Sequence, residues 1–304
     1  MYSFSSQDLT GTMFPLSVGP TVSQFGCWSV SKNPRHYRWT THYRAQPSAQ
    51  SSHRFDYLLK VVRSDLSSAQ REVALERFTQ RVVANECIHH HGLAPVLDAE
   101  LDRTPFYVVE PLIAGKSMSA LDSALKSVSV SKSIWLARQL ADVVAATHAA
   151  QRVHLSIQPE SVLVDSFGKV ILMGWGGSQA FESIPAWNNK PTITDVQTRA
   201  PETYTRDYVA QPSADVYSMG TLWYWLFSGK WPFVGESTES LADQHRKSTA
   251  PRLDDSLAIP VELKDLIAGM LSKNPLRRPN IHHVLQVMFS VEIDHLHDGR
   301  LVRR

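Results

Sequence analysis

Between Val216 and Phe227 the chain reads Val-Tyr-Ser-Met-Gly-Thr-Leu-Trp-Tyr-Trp-Leu-Phe, which is apolar on nearly every side of a helix. A surface helix carries an apolar stripe opposite a polar one, whereas a helix apolar all round is stable only when other elements enclose it. The run is too short to cross a membrane, which takes roughly 18–20 apolar residues. It therefore demands a lobe of further helices around it. Those helices show as apolar stripes at spacings of three and four: Ile134, Ala137, Leu140, Ala141 and Val144; Leu263, Leu266, Ile267, Met270 and Leu271; and Ile281, Val284, Leu285 and Met288.

The first third of the chain has a different period. Short alternating stretches run from Phe25 to Val62, and Tyr57-Leu58-Leu59-Lys60-Val61-Val62 is the clearest strand, preceded by a polar loop from Gln46 to Arg54. A helix with Leu75, Phe78 and Val82 on one face follows, ended by His89-His90-His91-Gly92. Strands are expected at Pro95–Leu97, Phe106–Val109 and Val170–Met173, the last reached through the turn Asp165-Ser166-Phe167-Gly168. Residues 1–24, rich in Ser, Thr, Gly and Pro, read as a mobile leader. The expected class is α+β: a small β-rich lobe with one main helix over residues 25–112, a larger helical lobe over 113–290, and an exposed tail over 291–304.

Composition excludes more than it identifies. At 304 residues, 43% hydrophobic and 20% charged, the chain is long and apolar enough for a full core. Lys+Arg 31 against Asp+Glu 29 leaves a net charge of +2, with no whole-molecule field for gripping nucleic acid. Cys27 and Cys87 lack metal-ligand spacing and are expected to be buried, apolar thiols of a reducing compartment. With no membrane span and no basic-then-apolar N-terminal signal, a soluble cytoplasmic protein is the expectation. Thirteen histidines raise a metal question, but none of their clusters assembles a ligand set. His89-His90-His91 is read as capping the helix end, and His282-His283 and His295/His297 as surface groups. Asp254-Asp255 reads as a solvated turn, and Trp231-Pro232-Phe233 as core packing.

The order of several short anchors carries a family resemblance. Trp28, Tyr43-Arg44-Ala45, Lys60, Arg77-Phe78, His90, His154 with Pro159-Glu160, and Gly176 come in sequence. Arg199-Ala200-Pro201-Glu202, Asp215 to Gly220, Pro232-Phe233 and Arg277-Arg278-Pro279 follow. This order and spacing resembles a protein kinase domain, most like the bacterial Ser/Thr (Hanks-type) kinases, over about Phe25 to Met288. The resemblance implies a two-lobed protein-kinase-like fold, with the β-rich lobe leading.

What the resemblance implies for chemistry is negative. The kinase template needs a Gly-rich loop, a strand Lys held by a helix Glu, a catalytic-loop Asp, and an Asn and an Asp for magnesium. The three glycine positions fall on Arg35, Tyr37 and Thr40, so backbone N–H groups lack the open approach to phosphate that glycine allows. Lys60 is in place, but Arg81 occupies the position of its helix Glu. Glu76 and Glu86 are each five residues away, about 140° round the helix. Two cations are thus expected to face each other. Leu58, on the same strand face as Lys60, is expected to fill the adenine space that His42 covers from above and Leu163 from below.

Within His154-Leu155-Ser156-Ile157-Gln158-Pro159-Glu160-Ser161, Ser156 replaces the catalytic Asp, Gln158 the phosphate-neutralising Lys, and Ser161 a magnesium ligand. In Met173-Gly174-Trp175-Gly176, Gly174 replaces the second. Leu155 replaces an Arg that reads activation-loop phosphate, so switching through Thr192, Thr194 or Thr198 by that route is not expected. The scaffold positions remain: Glu202 with Arg278 as a buried ion pair, Asp215 holding the catalytic-loop backbone, and His154 and Gly176. Scaffold kept with chemistry removed is the pattern of a pseudokinase. The expectation is a binding module or allosteric regulator, with no cofactor or at most ATP without magnesium, and a protein partner such as an active kinase or other signalling protein. The alternative is an unconventional phosphotransferase that uses Lys60.

Overall fold

Alternation along Tyr57–Val62 decides how the smaller lobe is layered. The computed structural model describes residues 21–50, 54–121, 128–185, 193–205 and 207–301. The first elements are β1 (Thr21–Phe25), β2 (Trp28–Ser31), β3 (Arg35–His36), β4 (Thr40–Pro47), β5 (Tyr57–Val62), α1 (Ser68–Cys87), β6 (Asp98–Glu100) and β7 (Tyr107–Pro111). The strands form one antiparallel sheet in the order β1-β2-β4-β5-β7-β6, with β3 beside β4. Lys60 lies opposite Val108, and Leu58 opposite Glu110; residues directly opposite share a face. Leu59 and Val61 turn to one side and pack with Trp28, Val30, Tyr107 and Val109. Val62 and Val108 turn to the other and meet Ala74 and Phe78 of α1.

Helix α1 is set by its start. Ser67 Oγ accepts from the Gln70 N–H at 3.3 Å while Gln70 Oε1 accepts from the Ser67 N–H at 3.0 Å, a capping box. Its buried residues are Ala74, Phe78, Arg81 and Ala84, again at spacings of three and four. Arg81 therefore sits on the face turned toward the sheet.

The larger lobe continues with β8 (Gly115–Ser117), α2 (Val130–Ala149), β9 (Arg152–Val153), β10 (Val162–Asp165), β11 (Val170–Leu172) and β12 (Gln179–Ala180). Five helices follow: α3 (Ile193–Gln197), α4 (Pro212–Ser228), α5 (Thr238–Lys247), α6 (Val261–Met270) and α7 (Ile281–Leu301). Helix α4 is the all-round apolar segment. Its Tyr217, Met219, Leu222 and Trp223 are fully buried in one core with residues of α2, α6 and α7. Pro212 opens it and Gly229 closes it with φ +68°, a left-handed cap that glycine adopts without strain. Trp231 stacks on Trp225 at 5.3 Å and Phe233 is buried, so this segment packs on the core. The backbone N–H of Ser256 donates to Asp254 Oδ1 at 2.8 Å, closing the turn at that acidic pair.

Four expectations are corrected. Residues 21–24, assigned to the leader, belong to strand β1, while residues 1–20 lie outside the described residues. Pro95–Leu97 is not a strand; the ladder begins at Asp98, and the Leu97 N–H reaches the Val109 carbonyl at 2.8 Å from outside it. The tail is not separate, because α7 runs on to Leu301, with Val291 buried and Glu292 bonded to Arg138 of α2. Both cysteines are exposed, Cys27 in the β1–β2 turn and Cys87 at the last residue of α1. Among the described residues no helix is long and apolar enough to cross a membrane.

The larger lobe is tied together by Arg278. Its Nη1 and Nη2 donate to Glu202 Oε1 and Oε2 at 2.6 and 2.8 Å, Nε to the Ser272 carbonyl at 2.8 Å, and Nη1 to the Ser213 carbonyl at 2.8 Å. The bonds join the 201–204 turn, the start of α4 and the 275–278 turn. Replacing Glu202 by Ala leaves this guanidinium buried without its acid. The unfolding free energy in urea is then expected to fall by about 3 kcal/mol; a loss of a few tenths, as for an exposed pair, contradicts this role.

Candidate functional site

Between the lobes lies a cleft of about 430 Å³. Its roof is the β3–β4 hairpin, with Tyr37, Trp39 and His42, and its back is Lys60 of β5 and Glu110 of β7. Helix α1 contributes Arg77, Phe78 and Arg81, and the floor is the turn Gly174-Trp175-Gly176.

Strand pairing puts Lys60 and Glu110 on the face that α1 covers, and that juxtaposition organises the cleft. Lys60 Nζ donates to Glu110 Oε2 at 2.7 Å, and Arg81 Nε donates to Glu110 Oε1 at 2.6 Å. Arg81 Nη2 bonds the Ala94 carbonyl, and its Nη1 is buried with no acceptor among the described residues. The Glu110 side chain is only 1% exposed. Burial alone would push its pKa up, but Lys60 and then Arg81 more than offset this and hold it at about 2. The expected confrontation of Lys60 with Arg81 is therefore corrected: one carboxylate stands between them. Lys60 touches an anion, from a strand and not from the helix, while Glu76 and Glu86 are exposed.

Glu110 is the residue the sequence reading missed. The available signal was the alternation of Tyr107-Val108-Val109-Glu110, which sends Val108 and Glu110 the same way at the end of an apolar strand.

Leu58 and Leu163 are both buried, Leu163 against Ala94 and Ile171, and neither lines the cleft. His42 pairs in register with Lys60 and does line it. Burial, aided by Lys60 and opposed by Glu110, lowers its pKa to about 3, so it is neutral at physiological pH. Of the three glycine-loop positions, Arg35 lies in β3, Thr40 opens β4, and the Tyr37 N–H closes the hairpin on the Thr40 carbonyl at 2.8 Å.

The loop between β9 and β10 carries the candidate catalytic positions. Asp215, fully buried in the first turn of α4, accepts from the backbone N–H groups of His154 and Leu155, both at 2.8 Å, and from His148 Nε2 at 3.0 Å. Burial raises its pKa, but His148 and the further contacts outweigh it and leave the carboxyl below its ordinary range. Leu155 is thereby held with φ +59°. His154 is fully buried, edge-on to Trp175 at 4.6 Å. Its Nε2 lies 2.8 Å from the Met173 carbonyl and so carries the proton, while Nδ1 accepts from the Ser156 N–H at 3.2 Å. Burial, opposed by Asp215, lowers its pKa to about 4, and it remains a neutral backbone clamp.

Ser161 and Gly174 come together as the resemblance requires of its two metal positions: a Cβ on Gly174 would sit 3.5 Å from Ser161 Cβ. The Ser161 hydroxyl is already used in its own turn, donating to the Gln158 carbonyl at 2.8 Å and accepting from the Gln158 N–H at 3.0 Å. Gly174 holds φ +87° and offers no ligand atom. Ser156 Oγ packs against Gly177, where an added Cβ would meet it at 2.6 Å. Gly176 lies so close to α1 that a Cβ would stand 3.0 Å from the Arg77 backbone carbonyl oxygen. Ser156, Gln158, Ser161 and Gly174 are thus placed around one loop and bring no carboxylate to it.

The remaining candidates are structural. His90 Nδ1 accepts from the Gly92 N–H at 2.9 Å, which puts its proton on Nε2, facing Asp142 Oδ2 at 3.2 Å. His91 completes a group of three possible ligands, but the His90 ring is engaged as a donor. The triple histidine does not cap α1, which ends at Cys87, but links the following turn to α2. Thr198 donates to the Ile157 carbonyl at 2.6 Å and is buried; Thr192 lies outside the described residues.

A curled antiparallel sheet with one helix, set over a helical lobe and closed by the Asp215 and Arg278 clamps, defines a protein-kinase-like fold. The family model for the protein kinase domain matches residues 49–290, and the chain belongs to that family. The match begins after the hairpins that would hold the Gly-rich loop. Similar proteins include the serine/threonine-protein kinase PknA of Mycobacterium tuberculosis, 29% identical over 226 residues, covering 72% of this chain and 51% of that one. PknL of the same species is 30% identical over 222 residues, covering 72% and 55%. PrkC of Bacillus subtilis is 22% identical over 221 residues, covering 72% and 34%. The chain thus spans about half the length of PknA and PknL, and about a third of PrkC.

The low pKa of Glu110 fixes a pH dependence. A folded-state value of about 2, below the ordinary 4.5, gives stability that is fully present above pH 4.5 and is lost as pH falls through 2. Glu110→Gln strands two cations and is expected to lower unfolding free energy by about 3 kcal/mol at pH 7. Urea titrations should show the gap to the parent protein closing between pH 4.5 and 2. A gap constant with pH contradicts the ionised triad.

Proposed function

We propose that this chain is a pseudokinase: a protein kinase-fold module that works by binding a protein partner, such as an active kinase or other signalling protein, without transferring phosphate. The observation that carries the reading is that Ser156, Ser161 and Gly174 stand where the template has its catalytic Asp and its magnesium Asn and Asp, with Gly174 beside Ser161 and the Ser161 hydroxyl spent in its own turn. A serine hydroxyl with no base beside it is a poor proton acceptor, and losing a general base alone typically costs ~10²–10⁴ in rate. Losses in groups that act together do not multiply, so the combined deficit is not their product. The retained clamps of His154, Asp215, Glu202 and Arg278 support a module kept for its shape.

A second reading, an unconventional phosphotransferase using Lys60, is favoured by the Lys60–Glu110 pair, since an acid does approach the lysine. Glu110 is shared with Arg81 and buried, which leaves it no coordination site for a metal. Incubation of the full chain with γ-labelled ATP and magnesium or manganese, alone and with a generic protein acceptor, separates the two. The pseudokinase reading expects no label on either. Label that disappears in Lys60→Ala overturns it and supports the second.

A further inference from the structure

The cleft carries more positive charge than its own structure uses. Arg38, Lys60, Arg77 and Arg81 line it against two acids, Glu110 and Asp195. Glu110 answers Lys60 and Arg81 together with one negative charge. Arg81 Nη1 is left buried without an acceptor among the described residues, although a buried guanidinium N–H normally has one. Arg77, one turn earlier on the same helix, has no hydrogen bond or ion pair among the described residues; its guanidinium lies over the Trp39 ring at 5.4 Å. Burial lowers its pKa, and Asp195, exposed on the rim, is the acid whose charge partly offsets this. His42 is neutral and brings no charge.

Two of the residues expected around a base do not border this cleft. Leu58, expected to fill the purine space, and Leu163, expected below it, are both buried, and neither lines the volume bounded by Arg77, Arg81 and Lys60, which is rich in cationic donors. Guanidinium groups bind phosphate oxygens directly, through paired N–H donors, with no bridging cation. A metal is not needed to reverse the sign of the site, because its lining is already positive.

We propose that this cleft binds a multiply charged phosphate chain directly, on Arg77, Arg81 and Lys60, without a divalent metal and without recognition of a nucleobase. The ligand is a free polyphosphate or the phosphate tail of a larger molecule; in both cases the protein reads only the phosphates. The proposal goes beyond the pseudokinase reading and holds whether or not phosphate is transferred.

Thermal unfolding and calorimetric titration of the full chain in EDTA, with inorganic tripolyphosphate, ATP and adenosine at matched ionic strength, test it. Tripolyphosphate and ATP are expected to bind with dissociation constants within threefold of each other, to raise the midpoint similarly, and to gain nothing from magnesium. Adenosine is expected to leave the protein unchanged. Arg77→Gln, at a partly exposed position that keeps the packing atoms beside Gly176, should weaken tripolyphosphate at least tenfold, while Arg103→Gln, remote and exposed, should not. No binding by the parent chain overturns the proposal, as does binding that requires magnesium or an equal loss in Arg103→Gln. ATP binding more than tenfold tighter than tripolyphosphate, or competition by adenosine, overturns the claim that the base goes unread.

Discussion

A carboxylate removed from water beside two cations is the constraint around which the space between the lobes is organised. Lys60 and Arg81 together hold the buried Glu110 in its charged form, and Glu110 is the acid that both of them reach. Removing Glu110 leaves two cations uncompensated, Arg81 among them in a poorly hydrated place, a much larger penalty than losing an exposed ion pair. The triad joins β5, β7 and α1, and through the Ala94 carbonyl it also fixes the segment that follows the helix. In the kinase template the strand lysine is held by an acid from the helix. Here the helix supplies a second cation, and the acid has moved to the neighbouring strand.

That exchange has consequences on both sides of the cleft. Helix α1 is anchored without reference to any ligand, and a second tie, Arg152 Nη2 to Gln80 Oε1 at 2.6 Å with Nε to Ser178 Oγ at 3.2 Å, holds it to the larger lobe. The turn 174–176 can then press against α1 because Gly176 has no side chain. In the larger lobe Asp215 does for the loop backbone what Glu110 does for the cleft: a buried acid whose partners keep it ionised. Both are structural uses of charge. Ser156, Ser161 and Gly174, at the positions the resemblance assigns to proton and metal handling, pack or close turns.

Much of this was legible in the residues. The all-round apolar run from Val216 to Phe227 could only be a central helix, and α4 is one. Two contacts join residues of the ordered anchors, Asp215 with the His154 N–H and Glu202 with Arg278, and each is made by a motif with a fixed local geometry. Glu110 was not legible in that way. It lies 50 residues from Lys60 and 29 from Arg81, and only the register of two paired strands brings it there. Small apolar groups are usually buried, whereas Cys27 sits in a two-residue hairpin turn that faces water, a placement set by strand pairing and not by the thiol. The apolar stripe Ile281, Val284, Leu285 and Met288 shows only the first part of the last helix; beyond it Glu292 is held by Arg138 across the lobe.

The central claim is that Glu110 and Arg81 are energetically coupled inside the fold and are not merely adjacent. A double-mutant cycle measures this most directly: urea denaturation of the parent, Arg81→Met, Glu110→Leu and the double variant at neutral pH. Coupling of about 1–3 kcal/mol is predicted, with the double variant more stable than the sum of the single losses implies. Additivity within about 0.3–0.5 kcal/mol would contradict the account.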